Sequence, residues 1–97
     1  MNVISKHGLT QLTGKFPEAA EECDRWYRIA RRATWTNLLE VQRVFPSVDQ
    51  VGSVLIFNIR HNRYLLITFM VYGKQKLYVK ALLTHKEYER KEWMKWA

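Results

Sequence analysis

The sequence predicts an α+β fold, in which N-terminal helices pack on a twisted antiparallel sheet and a short helix closes the chain. Two observations carry the prediction. Apolar residues recur at helical spacing as far as Phe45 and in extended runs from Val54 onward. The extended runs are joined by Arg60 to Asn62 and by Gly73 to Gln75, three-residue connections that suit hairpins. At 97 residues the chain is expected to form one domain spanning positions 1–97.

NVIS, residues 2–5, reads as a first strand. Leu9, Leu12 and Phe16 predict a helix over Lys6 to Phe16, weakened by Gly8 and Gly14. Pro17 suits the first turn of a second helix, and Glu18, Glu21 and Glu22 suit the positive end of its dipole. On that helix Ala19, Cys23, Trp26, Tyr27, Ala30 and Ala33 form one apolar stripe, with Arg25, Arg28, Arg31 and Arg32 largely outside it. Asn37 followed by Glu40 predicts a capping box opening a short helix through Leu38, Leu39, Val41, Val44 and Phe45, which Pro46 ends.

PSVDQVGS reads as loop. Three strands of an antiparallel meander follow, Val54 to Ile59, Arg63 to Tyr72 and Lys76 to Thr84, and HKEYERKEWMKW predicts a terminal helix. In the last strand, alternation puts Lys76, Tyr78, Lys80 and Leu82 on one face and Leu77, Val79, Ala81 and Leu83 on the other, the second set being core. The first set interleaves cation and aromatic, as surfaces that hold single-stranded RNA do. An amphipathic strand with one wet face reads equally well.

The formal charge of +7 is unevenly placed. Residues 1–53 hold seven Lys and Arg against six Asp and Glu, whereas residues 54–97 hold nine against three. The basic half favours a polyanionic partner, nucleic acid ahead of membrane. Cys23 has no partner for an internal disulfide, and the longest apolar run, Tyr64 to Tyr72, is about half the roughly 20 residues of a spanning helix. A cytoplasmic protein without a membrane segment is expected. His7, His61 and His85 lack the spacing of a zinc site, and no glycine-rich loop points to a nucleotide, so neither metal nor cofactor is expected.

Two segments, FNIRHNRYLLI (Phe57 to Ile67) and THKEYE (Thr84 to Glu89), follow two helices and the stretch FPSVDQVG (Phe45 to Gly52). In that order they resemble the HigB family of type II toxins, ribosome-associated mRNA interferases with the RelE-like fold. The likeness extends from VIS near the start through HKEYER. It implies an RNA cleft on the exposed side of the sheet, and a cognate helix-turn-helix antitoxin (HigA-like) through which the toxin would reach operator DNA indirectly. The chain departs from the family pattern where Arg60 and His61 replace small or Gly residues, where Leu65 replaces a basic residue, and where Glu89 replaces Asp.

Cutting RNA without a metal takes a base for the 2'-OH, charge to stabilise the phosphorane and an acid for the departing 5'-oxygen. His85 is a residue type suited to either proton role at neutral pH. Tyr88, three positions on, would share its helix face. Lys80 supplies positive charge and Arg63 a fork for phosphate oxygens, which completes the expected catalytic set of His85, Lys80, Tyr88 and Arg63. Lys76, Tyr78, Lys86, Arg60 and Asn58 are the expected RNA-binding residues, while Asn62 reads as a turn residue. Two other classes stay open: a non-catalytic basic module that binds RNA or DNA, and a regulatory protein that docks an acidic partner.

Overall fold

The computed structural model describes residues 1–5 and 8–97. Strands β1 (Asn2–Ser5), β2 (Asp49–Val51), β3 (Val54–Ile59), β4 (Tyr64–Val71) and β5 (Lys76–Thr84) form one sheet in the order β1-β5-β4-β3-β2. Helices α1 (Leu9–Thr13), α2 (Ala20–Arg32) and α3 (Leu38–Val44) precede the meander, and α4 (His85–Glu89) follows it. The meander is antiparallel as expected, but β1 joins β5 in parallel, Val3 opposite Leu77.

Several boundaries differ from the sequence prediction for local reasons. The first helix is five residues long, starting after Gly8 at φ 78° and ending at Gly14. The expected start at Lys6 and His7 lies outside the described residues. The second begins as a 3-10 turn at Pro17–Ala19 before becoming α-helical. Asn37 caps α3 by accepting from the Glu40 N–H, but the Glu40 carboxylate reaches back to Thr36 rather than to the cap itself. Asp49–Val51, expected as loop, pairs antiparallel with β3 as an edge strand. The terminal helix stops at Glu89. Lys91 then adopts a left-handed φ of 59°, and Glu92–Trp96 continues as 3-10 turns.

The main core lies between α2 and one face of the sheet. The predicted stripe supplies Ala19, Cys23, Trp26 and Ala30, all buried, against Leu55, Phe57, Ile59, Leu66, Leu77, Val79 and Leu82. Trp26 meets Phe57 edge-on at 5.3 Å, as does Phe45 at 5.3 Å. Truncating a buried aromatic at such a site costs about 3–5 kcal/mol.

The other face of the sheet carries a second apolar cluster, Val54, Ile56, Leu65 and Ile67, capped by Trp93 from the chain terminus. Part of the surface expected to be open to RNA is therefore covered. The alternation predicted for β5 also breaks. The register runs from Thr68 opposite Val79 to Ile67 opposite Ala81, so Lys80 is an extra, unpaired residue. This β-bulge reverses the phase beyond it. Leu82 joins Leu77 and Val79 in the main core, whereas Ala81 and Leu83 pack with the second cluster. The predicted placement of Ala81, Leu82 and Leu83 is thus corrected by one inserted residue.

Candidate active site

The start of α4 is built by its own sequence. The Thr84 hydroxyl accepts from the Glu87 N–H at 3.2 Å, and the Glu87 carboxylate accepts from the Thr84 N–H at 3.0 Å. This reciprocal capping box satisfies two N–H groups that a helix start leaves open. Its consequence is positional: His85 becomes the first residue of the helix, directly after the strand.

His85 and Tyr88 then lie side by side, their ring centres 6.2 Å apart at 65°. One turn on, Glu89 binds His85 Nδ1 at 3.1 Å. In the tautomer that donates its Nδ1–H to that carboxylate, Nε2 carries the ring's lone pair. Burial raises the Tyr88 phenol above its ordinary pKa, and the Asp49 carboxylate adds to the rise. Tyr88 therefore keeps its proton at neutral pH and remains a donor.

Both side chains line a cleft of about 380 Å³ on the sheet face opposite α2. Its other walls are Ile56, Asn58 and Leu65 from adjacent strands, Asn62 from the β3–β4 turn, and Ser47, Val48 and Asp49 from the loop and edge strand after α3. Asn58 donates its amide to the Ser47 carbonyl at 3.3 Å, which ties that loop to the sheet and leaves the amide oxygen as an acceptor. Among the described lining residues there is no Lys or Arg. Leu65, where the resemblance leads one to expect a basic residue, is buried at the cleft wall.

Of the residues singled out from the sequence, the structure brings His85, Tyr88 and Asn58 together. Arg63 and Arg60 sit instead beside the start of α2. Arg63 Nη1 lies 3.6 Å from Glu18, and the Arg60 N–H donates to Glu22 at 2.9 Å. Arg60, His61 and Asn62 all have left-handed φ, 56°, 53° and 72°, a run that L-residues other than Asn adopt reluctantly. The small or Gly residues expected at the first two positions thus have a physical reason, and Asn62 is the turn residue it was expected to be.

Lys80 lies five positions before His85, roughly 16 Å of extended chain, and is outside the cleft. Its ammonium stands 5.6 Å from the Tyr78 ring, and Tyr78 meets Phe69 edge-on at 6.4 Å. With Lys76 in line on the same strand, this makes a separate cation-aromatic strip. Lys86 is exposed on α4. Sequence reasoning missed Asp49 and Ser47 in the cleft, and the T-x-x-E spacing of Thr84 and Glu87 was the available signal for the cap.

A larger cavity, about 550 Å³, lies between β1, α1 and α2. Its thiol, Cys23, is fully buried, and burial with the nearby Glu22 carboxylate pushes its pKa up to about 11. A thiol so held is a core residue rather than a nucleophile. Among the described residues no group of three or more His, Cys, Asp or Glu side chains is placed to hold a metal ion, and no helix is long and apolar enough to cross a membrane.

The fold agrees with the class found by comparison: residues 19–91 match a family described as the RelE-like toxic component of a toxin-antitoxin system. The chain belongs to this HigB toxin family. It is 24% identical to the mRNA interferase toxin HigB of Escherichia coli over 92 residues, covering 92% of this chain and 88% of that protein. The mRNA interferase HigB of Shigella flexneri matches to the same extent. That of another Escherichia coli strain is 22% identical over 93 residues, 93% of this chain and 90% of the other.

Proposed function

We propose that this protein is the toxin of a type II toxin-antitoxin system and acts as an mRNA endoribonuclease, cutting by metal-independent attack of the 2'-OH on the adjacent phosphorus. The observation that carries this reading is the meeting of His85 and Tyr88 in one cleft, one side chain able to accept a proton and the other holding one to donate. Relatives named mRNA interferase across most of the chain support it.

The nucleotide would enter between Asn58, Asn62 and α4. The 2'-oxygen attacks phosphorus while its proton passes to a base, and the P–O5' bond breaks as the leaving oxygen takes a proton. His85 Nε2, with Glu89 holding Nδ1, and the Tyr88 hydroxyl are the two proton carriers. The Asn58 amide oxygen and the Asn62 amide can orient the ribose. Because the cleft wall carries no Lys or Arg among the described residues, charge on the phosphorane is met by the Tyr88 O–H and by His85 once it has taken the 2'-OH proton, with the exposed Lys86 next to it in the chain. Lys76, Tyr78 and Lys80 bind flanking RNA, and Arg60 and Arg63 contact it at the other side. Lys80 and Arg63 accordingly act in binding rather than in the chemical step.

The whole chain, positions 1–97, works as one domain in the cytoplasm. Its substrate is mRNA on translating ribosomes, and a HigA-like helix-turn-helix antitoxin suppresses it and carries it to operator DNA. Induced expression of the chain alone is expected to arrest growth and truncate transcripts. Co-expression of the antitoxin, or His85→Ala, relieves both. Growth arrest with intact transcripts would reject the nuclease reading. The lack of Lys and Arg among the described lining residues favours a second reading, a module that binds RNA without cutting it, and that outcome would select it.

A further inference from the structure

Trp93 lies beyond the segment that matches the family, and it touches Tyr88 in two ways at once. The two rings are parallel, 2° apart in plane with centres 5.2 Å apart, and the indole N–H donates to the Tyr88 carbonyl at 3.0 Å. The Lys91 N–H donates to the same carbonyl at 3.0 Å, through the left-handed turn that folds the terminus back. Tyr88 is thus held at its ring and at its backbone by one residue, with the His85 ring on another side.

Trp93 is itself fixed. It is 4% exposed, packed in one buried cluster with Val54, Ile56, Leu65 and Ile67 of the sheet. A five-residue helix such as α4 has little stability of its own, and tertiary contacts decide how its side chains point. An offset parallel stack contributes both area and direction, because sliding or tilting either ring loses contact. The cap at Thr84 fixes where α4 begins, while Trp93 fixes the plane of the phenol that it presents.

Resting on the reading of Tyr88 as a proton carrier in the cleft, we propose that Trp93 is a positioning residue for RNA cleavage, acting through Tyr88. The 3-10 segment Glu92–Trp96 is the strap that carries it.

The test is a double-mutant cycle on the full chain, reading the single-turnover cleavage rate and the half-saturating RNA concentration separately. Trp93→Met keeps the site apolar with a smaller, flexible side chain and removes the ring and the N–H. It is expected to slow cleavage about tenfold or more while leaving half-saturation within about twofold, since small misplacements of a reacting group cost rate rather than binding. Trp93→Phe, which keeps a ring to stack, restores most of the rate. In a Tyr88→Phe background Trp93→Met has no further effect.

The same fold-loss in both backgrounds overturns the inference and leaves the nuclease reading standing. A Tyr88→Phe protein that cuts at the wild-type rate overturns the assignment of Tyr88 and the inference with it. Thermal melts of all variants keep the comparison to folded protein; if Trp93→Met is unfolded at the assay temperature, the rates of Trp93→Phe and wild type at that temperature are compared instead. A folded Trp93→Phe variant that loses rate by the same factor in the Tyr88→Phe background then also overturns the inference.

Discussion

Thr84 and Glu87 each bind the other's backbone N–H, at 3.2 and 3.0 Å, and this pair sets His85 at the first position of α4. Losing either half leaves a helix-end N–H without its partner. Thr84→Val and Glu87→Ala are each expected to lower stability by about 1 kcal/mol, the usual effect of a lost cap. They should also slow cleavage, because the frayed turn is the one that carries His85. Denaturant melts and cleavage rates on the same samples check both. Equal stability with slowed cleavage would mean that Thr84 or Glu87 acts on RNA directly.

The bulged Lys80 is exposed over Tyr78 and distant from His85 along the strand. Lys80→Ala should therefore weaken RNA binding and leave the rate at saturating RNA unchanged. The slope of log affinity against log salt should fall by about 0.7, the loss of one phosphate contact to a single strand. A loss of rate at saturation would return Lys80 to the chemical step.

At the β3–β4 turn, His61 has φ 53° between two other left-handed residues. A β-carbon in that region costs about 1–2 kcal/mol, part of which glycine gives back through its freer unfolded chain. His61→Gly is expected to raise stability by up to about 1 kcal/mol, measured by urea midpoint, with cleavage unchanged. A lower midpoint would show that the His61 ring makes a contact worth more than the strain.

Strands β3 and β5 were legible to the residue because their largely apolar runs meet clear turns, Arg60 to Asn62 and Gly73 to Gln75. The face assignment at the end of β5 was not. Ala81, Leu82 and Leu83 are all apolar, so either phase satisfies the pattern, and only pairing with Ile67 and Thr68 reveals the extra residue at Lys80. β2 escaped because Asp49–Val51 is only three residues long and lies at the sheet edge, and such a strand is defined by its partner rather than by its own composition.

The candidate site was half legible for a related reason. His85 and Tyr88 are neighbours in sequence and share a helix face, a local relationship. Asp49, Asn58 and Leu65 reach the same cleft from three different strands, and the fold alone brings them there. Trp93 was hidden because the left-handed turn at Lys91 reverses the chain, and no helical spacing from Tyr88 predicts the stack.

Burial and Glu22 push the Cys23 thiol up to about 11. In the unfolded chain a thiol ionises near 8.5. The folded state therefore holds this proton more tightly. The resulting stability is fully present below about pH 8.5 and is lost as pH rises through about 11. Wild type should lose urea resistance over that window more steeply than Cys23→Ala, so the gap between their midpoints narrows. Tyr72 and Tyr88, also raised by burial, contribute alike to both proteins. Parallel curves would show that Cys23 does not titrate on unfolding.

The end groups of cleaved mRNA test the central claim most directly. Ribosome-bound transcript, cut by the purified protein with a strong chelator present, should carry a 2',3'-cyclic or 3'-phosphate on one fragment and a 5'-hydroxyl on the other, and His85→Ala should make neither. Fragments with 3'-hydroxyl and 5'-phosphate ends, or the same products at an undiminished rate from His85→Ala, would contradict 2'-OH attack assisted from the His85–Tyr88 cleft.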